Sequence, residues 1–203
     1  GQGALFVHTV CQAQMLRGDQ DRALAAVEAA LDLFRAAGLK AEEASALYTL
    51  ARMRQEVGNR EEGLLVAQDL VDAYAAQGNQ AGQADALHMV AYMHLQLGEH
   101  QDALEKAEEA RAAFRVQSDK RGEASVLETI VRVHMAQDKL EEALRSAEEA
   151  RALSAAAGDA ARAAQASQAI ANIRIYRQEF REVLRDAKQA REGCRQQGDS
   201  HGE

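Results

Sequence analysis

The stretch LHMVAYMHLQLGEHQDALEKAEEA, residues 87–110, decides the fold. Gly98 divides it. Ahead of the glycine, Val90 and Ala91 set a large and a small apolar residue side by side. Behind it, Ala103, Leu104, Ala107 and Ala110 recur three or four residues apart, which is one face of an α-helix. Glycine takes the left-handed conformation at little cost and so ends a helix cleanly. The stretch therefore reads as the close of one helix, a tight turn and the start of a second.

Moving outward from it, the same pattern returns every forty residues. Gly18, Gly58, Gly98, Asp138 and Gln178 form one series of turn positions, and Gly38, Gly78, Ser118, Gly158 and Gly198 form another. The two series interleave every twenty residues, which splits each repeat into two helices of similar length. After the second series stand Leu39, Asn79, Asp119, Asp159 and Asp199, four of which are good helix N-caps. Interior positions keep the same beat. Ala4, Ala44, Ala84, Ala124 and Ala164 open the first helices; Val10, Leu50, Val90, Ile130 and Ile170 follow, each with Cys11, Ala51, Ala91, Val131 or Ala171 behind it. In the second helices the slots are Ala23, Gly63, Ala103, Ala143 and Val183, then Leu24, Leu64, Leu104, Leu144 and Leu184. Two more slots complete that face: Val27, Ala67, Ala107, Ala147 and Ala187, and Ala30, Leu70, Ala110, Ala150 and Ala190. Small residues let antiparallel helices approach closely while the aliphatics beside them fill the remaining space.

Five periods of forty span 200 of the 203 residues without a slip. The expected fold is all-α, a solenoid of five antiparallel helical hairpins in a single domain over residues 1–203. Its repeats run at about 1–38, 39–78, 79–118, 119–158 and 159–198, with a short tail at 199–203. The composition agrees: there is no Pro and no Trp, and aromatics make up 4%. A long coiled coil, the other helical outcome for an Ala-, Leu- and Glu-rich chain, would want unbroken heptads, whereas turn chemistry interrupts this chain every twenty residues.

Other function classes find little support. Asp and Glu outnumber Lys and Arg by 32 to 24, a net charge of −8, so no general basic field exists to collect phosphates, and nucleic acid is not an expected partner. Residues 4–16 are interrupted by His8, Gln12 and Gln14 and lack a basic lead, and no apolar run is long enough to span a bilayer. Cys11 and Cys194 stand near opposite ends of an elongated array, too far apart for a disulfide. A cytoplasmic protein is expected, with no membrane insertion. His94 and His134 occupy equivalent slots in adjacent repeats, as do His8 and His88 two repeats apart, which is too far for a shared metal. Asp19-Gln20-Asp21 lacks the Gly and distal Glu of a calcium loop, and no phosphate-cradling loop or nucleophile elbow is present. No catalytic residue, metal or cofactor is expected.

The quoted residues resemble the tetratricopeptide repeats, in which small, aliphatic, turn-glycine and alanine positions recur in this order. The forty-residue period and the missing Pro are similar to the long-helix variety found in kinesin light chains and in G-protein-signalling modulator adaptors. The resemblance implies a right-handed superhelix whose first helices line a concave groove for a peptide or partner protein. Carried onto this chain, two groove ladders emerge: His8, Tyr48, His88, Glu128 and Gln168, and four residues further Gln12, Arg52, Tyr92, Arg132 and Asn172. Arg52 and Arg132 suit carboxylates, so a peptide with acidic character is expected.

The second helices carry Glu28, Glu61, Glu62, Glu105, Glu108, Glu109, Glu141, Glu142, Glu148 and Glu149, read as an outer solvated face paired with Arg or Lys one turn away. Two alternatives stand beside the scaffold: a structural subunit packed by its edges or ends into a larger assembly, and a ligand-gated regulator with its effector elsewhere. The last helix, with Arg181, Arg185, Lys188, Arg191 and Arg195, is polar enough to cap the stack in part. An excerpt of a longer array, or an end covered by another subunit, is the expected setting.

Overall fold

The computed structural model describes Thr9 and residues 19–197, without the side chains of residues 186, 190 and 192–197. Ala4, Val10, Cys11, Gly18, Gly198 and Asp199 lie outside the described residues, as do the side chains of Ala190, Cys194 and Arg195. Nine helices follow one another among the described residues. They are α1 (Gln20–Ala36), α2 (Lys40–Glu56), α3 (Arg60–Ala76), α4 (Gln80–Leu97), α5 (His100–Val116), α6 (Lys120–Ala136), α7 (Leu140–Ala156), α8 (Ala160–Tyr176) and α9 (Phe180–Gln197). Each packs against the next, which is the antiparallel solenoid the repeat implies.

Every turn between these helices has one residue in the left-handed region. Glycines fill it at Gly38, Gly58, Gly78, Gly98 and Gly158, with φ between 67° and 83°. Ser118, Asp138 and Gln178 hold the same conformation at φ 57°, 58° and 61°, where a side chain costs ~1 kcal/mol or more. Around it the backbone closes in the same way each time: Leu39 N donates to Phe34 O at 2.9 Å and Asp119 N to Phe114 O at 2.9 Å. Three of the following helices are then capped by a side-chain oxygen, while Asn59 before α3 makes no such bond. Asn79 accepts from Gly82 N, Asp119 from Arg121 N and Gly122 N, and Asp159 from Arg162 N, while Leu39 makes no side-chain cap.

The core is a seam between helices. Ala23, Ala103 and Ala143 are 0% exposed, as are Val27, Ala67 and Ala107. Gly63 occupies the same seam; a Cβ there would meet Arg54 Cβ at 3.3 Å and Ala51 O at 3.5 Å. Against these small residues pack Leu47, Leu50 and Met53 of α2, and in the next cluster Val126, Leu127 and Ile130 of α6.

The fifth repeat departs from the expected burial. Leu24, Leu64, Leu104 and Leu144 each join a core cluster that includes the first helix of the following repeat, but Leu184 is 62% exposed. Among the described residues no helix follows α9 to cover it. Ala164 and Ala187 are exposed as well, and α8 with α9 makes the slightest contact of any successive pair.

The acids of the second helices pair within one turn at Glu108, Glu109 and Glu142, and between helices at other positions. Glu109 pairs with Lys106 at 2.8 Å within one turn, yet several others bridge separate helices. Arg54 is clamped between Glu28 and Glu62, Arg174 reaches Glu148 at 3.1 Å, and Arg111 reaches Glu149. At two junctions a carboxylate is buried. Glu43 takes Arg35 at 3.2 Å and Lys40 at 3.0 Å, and the Lys40 bond holds its pKa below the ordinary carboxylate value despite burial. Glu123 takes Arg115 at 2.6 Å and Arg111 at 3.3 Å.

Rings and glycines are matched across the turns between repeats. A Cβ on Gly122 would fall 2.5 Å from Phe114 Cε1 and 2.7 Å from its Cγ, and one on Gly82 would fall 2.7 Å from the Tyr74 ring. Alanine would gain up to ~1 kcal/mol of helix propensity over glycine, whereas displacing a packed ring costs about 1–3 kcal/mol. Phe114 is 3% exposed and has little room to yield. Gly122→Ala is therefore expected to lower stability in urea unfolding by about 1–2 kcal/mol, with Gly82→Ala milder because Tyr74 is only half-buried.

Candidate functional site

Alternate helices, α2, α4, α6 and α8, are the first helices of their repeats. Among helices two apart in the chain, α4 and α6 come closest, and side chains link the same series directly. His88 Nε2 lies 2.9 Å from Thr129 Oγ1, Arg132 stacks on Tyr92, and Glu128 pairs with Arg162. First helices that touch across repeats form the inner side of the stack, so their outward-facing residues line a shallow trough.

Both expected ladders can be followed along it, apart from His8 and Gln12, which lie outside the described residues. Tyr48 is 38% exposed, and Arg52 Cζ sits 6.0 Å from its ring centroid while its guanidinium meets Glu56 at 3.1 Å. Arg132 Cζ sits 5.9 Å from the Tyr92 centroid, and Arg132 has no ion-pair partner among the described residues. Both distances are within cation–π range, and such a stack holds a guanidinium without neutralising it. Glu128 accepts from Arg162 Nη1 at 3.0 Å, and Gln168 and Asn172 are exposed. The two arginines are thus unequal, since Arg52 is already matched by a carboxylate.

His88 sits in the wall of the trough, at the junction between α4 and α6. Burial, helped by the charge of Arg162, pushes its pKa down to about 4, so the ring is neutral at pH 7. It serves as a hydrogen-bonding post between α4 and α6.

Three residues that the sequence did not single out complete the surface. Asp85, Met89 and Gln55 join Tyr48, Arg52, His88 and Tyr92 around a hollow of about 460 Å³. Their signal was present, because Asp85, His88, Met89 and Tyr92 stand at helical spacing on one face. A second hollow of about 340 Å³ has Glu128 and Arg132 above a floor of Ala147, Ala150, Ala166 and Ala169.

Away from the trough, His94, Glu99 and Asp102 bring one ligand atom each within 4.8 Å. The spacing of histidines alone did not reveal this group. His94 is 8% exposed, and its Nδ1 is held by Glu99 Oε2 at 2.6 Å, which is a hydrogen-bonded pair closing the end of α4 onto the start of α5.

No protein-family model matches the sequence, and no curated protein matches it. Solved structures do match. BtubC (BKLC) from P. vanneervenii is 17% identical with a TM-score of 0.82, covering 98% of this chain and 83% of that one. The nearly identical TPR-like repeats of a Podosopora anserina kinesin light chain are 19% identical with a TM-score of 0.74, covering 91% of this chain and 94% of that one. A Rap protein complexed with Competence and Sporulation Factor is 13% identical with a TM-score of 0.74; this chain spans 56% of its length. At these identities the likeness establishes the fold, a TPR-like helical solenoid. No described helix is long and apolar enough to cross a membrane.

The depressed His88 pKa has a sign that can be checked. An unfolded histidine takes up its proton near pH 6.5, while the folded one resists until about 4. The stabilisation is complete above 6.5 and is lost as pH falls from there to about 4, by roughly 3 kcal/mol. His88→Gln should flatten that part of the stability curve, measured as the difference between variant and parent in urea unfolding at pH 7 and pH 4.5.

Proposed function

We propose that this chain is a non-catalytic scaffold that holds a peptide or a helix of a partner protein along the trough of its first helices, with acidic residues of the partner set against Arg132. The observation that carries this reading is the Tyr92–Arg132 stack: a guanidinium held over a ring, with Arg132 lining one hollow and Tyr92 the other, and no ion pair to Arg132 among the described residues. A positioned guanidinium accepts a carboxylate through two parallel hydrogen bonds and loses little freedom in doing so. Exposed amides at Gln168 and Asn172 extend the surface in the way a peptide backbone would use. The Rap structure, solved with Competence and Sporulation Factor, supports the view that this architecture can receive such a ligand. In this reading the whole chain is one solenoid unit, and neither metal nor cofactor takes part.

One observation favours the second reading, a subunit packed by its edge. Ile175, Tyr176, Phe180 and Leu184 on the last hairpin are 47%, 71%, 57% and 62% exposed. Apolar side chains gathered at one end suit a protein contact.

The two readings part on mutation. With quantitative capture of binding proteins from the source organism, Arg132→Glu and Tyr92→Ala should each reduce recovery at least tenfold, equivalent to about 1.4 kcal/mol. Phe180→Ser should leave it unchanged. Full capture by Arg132→Glu together with loss on Phe180→Ser would transfer the binding surface to the edge.

A further inference from the structure

We infer that the hollow between Tyr48 and Tyr92 is a subsite for a cationic side chain, a lysine or arginine of the peptide that the trough is proposed to hold. This rests on the groove reading and adds to it a second, opposite charge preference one repeat from Arg132.

Shape and charge around the hollow both favour a cation. The hollow, at about 460 Å³, falls in the range of small-ligand pockets. Two tyrosine rings and Met89 supply polarizable walls, and ring faces attract cations. The same trough already demonstrates the preference, because each of these tyrosines carries a guanidinium of the chain itself at about 6 Å.

The polar lining then decides the sign. Arg52 is offset by Glu56 at 3.1 Å. His88 is held neutral by burial and adds no positive charge at pH 7. Asp85 has neither an ion pair nor a side-chain hydrogen bond among the described residues, and partial burial together with the nearby Asp119 raises its pKa. Asp119 itself is engaged as the cap of α6, which leaves its negative charge in place. Among the residues lining the hollow, the unmatched charge is the Asp85 carboxylate; the Arg132 guanidinium, 5.9 Å from the Tyr92 centroid, is not part of that lining. An incoming ammonium or guanidinium would relieve that carboxylate; an incoming carboxylate would add to the repulsion.

Repeats stack at roughly 10 Å, close to three residues of extended chain. A peptide satisfying both sites would therefore carry a basic and an acidic residue about three positions apart.

The test uses the whole chain with ring-labelled tyrosine, observed by NMR. The probes are Nα-acetyl-lysine methylamide, its apolar counterpart Nα-acetyl-norleucine methylamide, and Nα-acetyl-glutamate methylamide. The lysine probe should shift the Tyr48 and Tyr92 resonances saturably in the millimolar range, and Asp85→Asn should weaken it at least fivefold. Norleucine shifts equal to those of lysine, a stronger response to glutamate, or an unchanged lysine affinity in Asp85→Asn would each overturn the inference. Because each probe offers one side chain, the experiment reads the hollow alone. Failure of the groove itself would register instead as undiminished partner capture by Arg132→Glu.

Discussion

Close approach of helices across an alanine seam is the constraint from which the rest of this molecule follows. Ala23, Ala103 and Ala143 are sealed completely, and where Gly63 replaces them even a methyl group would crowd Arg54. Larger residues at these slots would push the hairpins apart and strip the aliphatic layer beside them of its partners. With the seam shut, each interior helix packs against both of its chain neighbours, and the first helices also meet one another across repeats. What stays outward-facing on those first helices lines the trough. Its ladder positions come into line because the seam repeats without a register shift, so one side chain per repeat meets its neighbour at the next, as Arg132 does with Tyr92.

The architecture was almost wholly legible in the sequence, for a physical reason. A left-handed turn residue and a buried alanine are demanded by backbone geometry, which is local and recurs identically. Even the turns without glycine obeyed: Ser118, Asp138 and Gln178 take the same conformation because the forty-residue frame leaves no alternative. What escaped was information held between repeats. Arg35 with Glu43 and Arg115 with Glu123 occupy matching junctions eighty residues apart, while the intervening junctions carry Ala75 with Gln83 and Ala155 with Ala163. A search at a period of forty averages that alternation away.

The candidate site was legible by position and less so by role. Tyr48, Arg52, Tyr92 and Arg132 line the two hollows, and Gln168 and Asn172 are exposed. His88 lines the hollow but is tied to Thr129 on another helix forty-one residues on, and is largely buried at that junction. Arg52 is spent on Glu56, and Glu128 on Arg162. Side-chain partners of this sort depend on which neighbours the stack delivers, and no spacing rule along one helix predicts them.

The pattern of internal pairing carries the last step. In a polar trough, nearly every charge that can find a mate within the stack has done so, and each such pair is worth little to stability at an exposed site, commonly under ~1 kcal/mol. Their consequence is subtraction: Arg52, Glu56, Glu128 and Arg162 cancel one another and cease to define what approaches. Among the described residues of the trough, Arg132 on its tyrosine and Asp85 in the hollow make no ion pair. Arg132 is braced by an aromatic side chain with few rotamers, so holding a ligand's charge there sacrifices less side-chain entropy than it would on an unsupported surface residue. Selectivity in such a scaffold therefore resides less in how many polar residues line it than in which of them the fold leaves unmatched.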